Sequence, residues 1–223
     1  MIRIPVVLAL AGVPFLAACA SESHRNVATH EVEAAQRPYS GPRHPLAIGK
    51  FKNTSTYLTG VFASDTDQLG SQARTILKTH LGQTNRFQIA DRDNMEEIGR
   101  EAQLSGSPQA VVGARYVVTG EVTEFGRKET GDKEVFGVLG RGKQQTAYAK
   151  VSLNVVDVQT SLVVYSTQGA GEYSLSNREI LGTGSTAAYD STLNGKVLDF
   201  AIVDAVNKLV RGLEAGAWSP AGS

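Results

Sequence analysis

Strict alternation of apolar and polar residues runs through Ala147, Ala149, Val151, Leu153 and Val155, with Tyr148, Lys150, Ser152 and Asn154 between them. A period of two places the apolar side chains on one face of a strand. Gln159-Thr160-Ser161 then makes a short turn into the run 162–167, which predicts an antiparallel hairpin over 147–158 and 162–167 at the centre of a sheet. Upstream, the runs 46–51, 87–90 and 116–125 are short and rich in strand formers. Helical spacing separates them. Leu69, Ala73, Ile76, Leu77 and Leu81 form one stripe, with Asp65 as N-cap, Gln68 three residues on and Gly82 as stop. Met95, Ile98 and Ala102 form a second, opened by an Asp93/Glu96 capping box and closed before Gly106-Ser107-Pro108. A third runs from Val197 through Leu213, wide enough to be heavily buried, with Asn194 as its cap and Trp218 closing the domain. The order predicts an α/β (α+β) fold, a mixed sheet packed by about three helices.

Composition adds compartment rather than chemistry. With 41% hydrophobic and 20% charged residues the chain is an ordinary folded domain, and Lys+Arg and Asp+Glu balance at 22 each, so no global field draws it to nucleic acid. The N-terminus is distinctive. Arg3, a short apolar run from Ile4 to Phe15 and Leu16-Ala17-Ala18-Cys19 resemble a bacterial lipoprotein signal over 1–18, with Cys19 as the lipidated residue. Pro5, Gly12 and Pro14 break the run too often for a spanning helix. Several acyl chains on Cys19 would anchor stably where one is marginal. No Asp follows the cysteine directly, and by resemblance to lipoprotein sorting rules this favours the outer membrane, periplasmic face, of a Gram-negative cell. Residues 19–45, with Pro38, Pro42 and Pro45 and no sustained apolar period, read as a lipidated N-terminus and flexible tether; 46–218 reads as the folded domain and 219–223 as a tail.

Catalytic readings find little support. Cys19 is the only cysteine, which removes a disulfide framework and cysteine-based metal clusters. Gly182-Thr183-Gly184-Ser185-Thr186-Ala187 matches a dinucleotide fingerprint in form, but no strand-helix-strand unit surrounds it. His80 is placed on the polar side of its helix without a triad partner. The expectation is a non-enzyme with no catalytic or metal residues and no cofactor beyond the covalent lipid.

The flanks of the central hairpin are the unusual part. Residues 127–147 and 168–190 are rich in Gly and small polar residues, with Val135, Phe136, Val138, Leu139, Tyr173, Leu175, Ile180, Leu181 and Tyr189 scattered through them. Barrel strands need only weak alternation to cross a bilayer. Two such insertions make candidate membrane hairpins, yet about four strands per chain cannot close a barrel without leaving unpaired edges in lipid. Membrane insertion therefore requires a ring of subunits. Soluble hairpins packing on a partner are the alternative, because Lys128, Lys133, Arg141, Lys143, Arg178 and Glu179 interrupt the pattern.

The run Gly113-Ala114-Arg115-Tyr116-Val117-Val118-Thr119-Gly120-Glu121-Val122, the stretch 127–142, Asn154-Val155-Val156-Asp157-Val158 and the stretch 212–218 together resemble the CsgG/HfaB family of curli secretion and holdfast lipoproteins. The resemblance covers about 46–218. It implies a periplasmic α/β domain, a homo-oligomeric ring, and two hairpins per subunit in a shared barrel. Unfolded surface-fibre subunits would pass through that barrel with the help of accessory assembly proteins. It also implies a constriction from the loop after the first strand, here Asn53, Tyr57 and Phe62. A second reading, from a different class, is a monomeric periplasmic interaction lipoprotein similar to the LpoB activator of cell-wall synthases.

Overall fold

The computed structural model of this 223-residue chain describes residues 29–57, 67–132, 142–178 and 192–219. In chain order the elements are β1 (His44–Asn53), α1 (Gln68–Gln83), β2 (Phe87–Ala90), α2 (Met95–Leu104), β3 (Tyr116–Asp132), β4 (Gly142–Asp157), β5 (Val163–Arg178) and α3 (Thr192–Glu214). The strands form one mixed sheet in the order β2-β1-β3-β4-β5. β1 lies parallel to both β2 and β3, and β3, β4 and β5 run antiparallel. The α+β architecture is the one the apolar periods predict.

Alternation decides which face of the sheet is dry. Val118, Val122 and Phe125 of β3 and Ala147, Ala149, Val151, Leu153 and Val155 of β4 are buried on one side, under α1 and α3. Leu77, Leu81, Leu153, Leu198, Ile202 and Leu209 are fully buried there, each contributing about 1.5–3 kcal/mol. The wide stripe of α3 follows from its neighbours: β4 and β5 on one side, α1 and the N-terminal segment on the others. Trp218 seals one end, stacked on Phe87 and Tyr165 at 6.1 Å each, with its indole N–H donated to the Leu209 carbonyl.

Several local expectations change. The tether is shorter than residues 19–45. Val32 and Ala34 are buried in the core, the Glu33 N–H donates to Asn207 of α3, and the buried Arg86 guanidinium binds the Ala34 carbonyl and Glu214. Apolar residues too few to form a period still dock when a wide helix face awaits them. Asp67, rather than Asp65, caps α1, and Asn194 lies inside α3. The Asp93/Glu96 capping box does not form. Asn94 holds the cap position without a side-chain bond, Asp93 pairs with Arg74, and Glu96 pairs with Arg100. α2 itself buries no residue.

Close packing explains the glycines at the start of the second flank. A Cβ at Gly169 would collide with the Ala201 carbonyl and the Ala205 backbone nitrogen, and one at Gly171 would stand 2.6 Å from the Val197 carbonyl. Gly169 and Gly171 are the seat of α3 on β5. Their absent side chains let the helix backbone approach the strand.

Candidate functional site

Two features stand out once the core is accounted for: strands that run on beyond the helices, and the clamped base of the connection between β1 and α1. β3 and β4 stay paired past Arg127↔Ala147 to Asp132↔Gly142, and β4 and β5 stay paired to Gly142↔Arg178. The flanks are thus continuous with the core strands. The region 127–147 holds the outer legs of the β3–β4 hairpin, and the first part of 168–190 is the end of β5 laid on β4.

The candidate hairpin residues divide accordingly. Tyr173 lies where α3 covers the sheet, pairing with Ala147, stacking on Phe200 of α3 at 6.1 Å, and lying under the Lys196 ammonium at 5.1 Å. Leu175 pairs with Gln145 on the extended part of the sheet. Val135, Phe136, Val138, Leu139, Ile180, Leu181 and Tyr189 lie outside the described residues, as do Cys19 and Phe62.

The β1–α1 connection is clamped at its base. One carboxylate oxygen of Asp67 accepts the Gly70 N–H at 2.8 Å, satisfying the open first turn of α1, and the other accepts the Asn53 N–H at 2.7 Å. Asn53 turns its side chain inward, accepting from Ser55 N–H and Oγ and donating to the Tyr57 carbonyl. The Tyr57 ring packs on Phe125 at 4.6 Å. Asn53 and Tyr57 therefore hold the base of this loop through internal contacts, which the spacing of polar and aromatic residues alone does not reveal. Upstream, the register shift of β1 between Ile48 and Phe51 leaves the Ile48 and Gly49 carbonyls facing Arg74, which donates to both at 3.1 Å.

His80 corrects a further expectation. It is buried, not on a solvated face. Its Nε2 is 2.6 Å from Asp199 of α3 and its Nδ1 is 3.1 Å from Gln83, so both ring nitrogens are engaged and the imidazole ties α1 to α3. The signal existed, since His80 is one turn from Leu77 and adjacent to Leu81, but a polar residue on an apolar flank is ambiguous until its partner is known. Among the described residues no cluster of three or more His, Cys, Asp or Glu could hold a metal, and no helix is long and apolar enough to cross a membrane.

The face of the sheet away from α1 and α3 carries polar ladders: Lys150–Glu124 at 2.5 Å, Asn154–Ser166 at 2.6 Å and Ser152–Gln168 at 3.0 Å. These cross-strand pairs stabilise the sheet on its exposed side.

The family profile of the curli production assembly/transport component CsgG matches residues 27–222. The chain belongs to the CsgG family. A Neisseria meningitidis serogroup B protein, provisionally designated a lipoprotein, is 55% identical over 215 residues, covering 96% of each chain. Among solved structures, the PelC dodecamer from Paraburkholderia phytofirmans is similar at 20% identity, with 76% of this chain and 93% of that chain covered and a TM-score of 0.35. The LpoB C-terminal domain from Salmonella enterica is similar at 14% identity, with 59% and 85% covered and a TM-score of 0.32. The family is one of assembly and transport components, and this CsgG-family chain brings to it an open polar sheet face and three strands that outrun their helices.

Proposed function

We propose that this CsgG-family chain is an outer-membrane lipoprotein, anchored through Cys19, whose copies form a ring that exports or anchors unfolded surface-fibre subunits. The observation that carries the reading is the unbroken β3–β4–β5 register beyond the α3 seat, out to Asp132, Gly142 and Arg178. A three-stranded extension with no helix over it needs its apolar face covered, and it gains from neighbouring strands or lipid. Residues 128–146 and 174–191 supply roughly nine residues per leg, the lower end of what a spanning strand needs. Each subunit would add its legs to a shared barrel, so that no strand edge is left in lipid. The loop closed by Asp67, with Phe62 inside it, is the candidate constriction, and Asn53 and Tyr57 buttress its base. Transport would need no nucleotide chemistry: a narrow collar admits an extended chain and excludes folded protein.

The test is imaging and planar-bilayer recording of the full-length lipidated protein in mild detergent. A conducting ring whose conductance changes in Phe62→Ala is expected. A uniform non-conducting monomer, released from membranes by removing the lipid, would overturn the channel reading and leave a partner-binding lipoprotein in its place.

A further inference from the structure

α2 is amphipathic, yet none of its residues is buried. Ile98 and Leu104 are 39% and 75% exposed, and by helical spacing Glu97 and Glu101 lie on the arc between them. Glu96 is paired with Arg100, whereas Glu97 and Glu101 have no ion-pair partner among the described residues. The segment that follows stays outside as well, with Val111 and Val112 more than half exposed and Arg92 holding the Val112 carbonyl at 2.6 Å. This is an acidic, apolar flap that follows β2 in the chain.

The β5 edge of the sheet carries a complementary surface. Leu162, Val163 and Val164 are exposed where β5 begins. Asp157 holds the turn before them by accepting the Gln159 and Thr160 N–H groups and the Arg115 guanidinium. Along the free edge of β5, Asp204 accepts the Ala170 N–H and Lys208 donates to the Gln168 carbonyl. Arg211 continues that helical stripe toward Tyr165, whose hydroxyl reaches the Lys208 carbonyl. Arg211 is exposed and has no ion-pair partner among the described residues. The α2 flap thus offers apolar side chains with free carboxylates, and the start of β5 apolar side chains with a free guanidinium nearby.

We infer that the α2 flap of one copy docks on the start of β5 of the next, Ile98 and Leu104 against Leu162–Val164, and Glu97 and Glu101 against Arg211, since Lys208 is already paired with Asp204. The two surfaces differ, so the contact is head-to-tail and closes into a ring when the rotation closes. The inference rests on the ring proposed above and assigns its subunit interface. A lipid surface suits the flap poorly, because helices that lie on membranes carry Lys and Arg on the polar face and this one carries Glu.

The experiment measures the mass of the full-length protein in mild detergent for the wild type, Glu101→Arg, Arg211→Glu and the double exchange. Both singles should weaken assembly by about tenfold or more through like-charge juxtaposition, and the double should regain it. Rescue separates the interface from misfolding, and an unchanged circular dichroism spectrum of the singles provides the second check. Singles that assemble like a ring-forming wild type would overturn this interface and leave the ring intact. A monomeric wild type would overturn both. Singles that assemble normally but bind phosphatidylethanolamine/phosphatidylglycerol vesicles differently would assign the flap to the membrane and overturn the inference.

Discussion

Gly169→Ala tests whether the glycine-rich start of the second flank is a helix seat. The added methyl would meet the Ala201 carbonyl oxygen and the Ala205 nitrogen well inside van der Waals contact, and Ala205 Cβ at 2.8 Å. The obstacle is backbone on both sides, so no rotamer change relieves it. α3 must lift from β5, and Ala201, Ile202, Ala205 and Val206 are all fully buried. Overpacking of this kind costs about 1–3 kcal/mol, and the rigid neighbours place Gly169 at the upper end, about 3 kcal/mol. Replacing glycine restricts the unfolded chain and returns about 0.4–1 kcal/mol, leaving a net loss of about 2 kcal/mol. For a domain of this size that lowers Tm by about 4–8 °C. Gly82→Ala is the control: it lies in α1, and nothing stands within 4 Å of its added Cβ. Its expected change is a stabilisation of about 0.5–1 kcal/mol. Thermal unfolding of the full-length protein followed by circular dichroism at 222 nm reads both. If Gly169→Ala unfolds at or above the wild-type Tm, α3 is not seated on β5 at this distance and the steric argument fails.

Asp67→Ala removes the cap of α1 and the clamp on Asn53 together. A loss of about 1–2 kcal/mol is expected, with faster hydrogen exchange at the Asn53 and Gly70 amides, while Asp67→Asn keeps most of the cap. Unchanged exchange at both amides would refute the clamp. At Asp157 burial pushes the carboxyl up, but the Thr160 N–H, the Arg115 guanidinium and the Gln159 N–H together hold it below the usual carboxylate range. A depressed folded-state pKa means that the stabilisation is full above the unfolded value of about 4 and is lost as pH falls through the folded value. Asp157→Asn should therefore flatten the acid limb of a stability–pH curve measured by urea unfolding, and a limb as steep as that of the wild type would contradict this assignment.

The alternation of β4 and the spacing of α1 and α3 are legible because each buries a single face against a flat neighbour, so one period repeats for many residues. Their ends are less legible. Asp65, Asp67, Asp93 and Asn194 are all plausible caps by residue type, and only the path of the backbone selects Asp67. Asn53 and Tyr57 are a polar and an aromatic residue in a connection, a pattern shared by binding loops and by well-packed turns. Their bonds to Ser55, Asp67 and Phe125 come from elements remote in sequence or from a turn no period marks.

What the sequence determined by itself is what local chemistry encodes: the strands and helices with a sustained period, the lipoprotein-like N-terminus, the absence of cysteine-based sites, and the diffuse likeness that family membership makes definite. Tertiary structure decided the rest, because those features are pairings between distant residues. Asp199 turned His80 from a surface histidine into a buried tie, α3 turned Gly169 and Gly171 from flexible residues into a seat, and the wide face of α3 drew Val32 and Ala34 out of the tether. A side chain's role here depends on what the fold brings within 3 or 4 Å of it, and that neighbour is 14 residues away for Asn53, which meets Asp67, and 119 for His80, which meets Asp199.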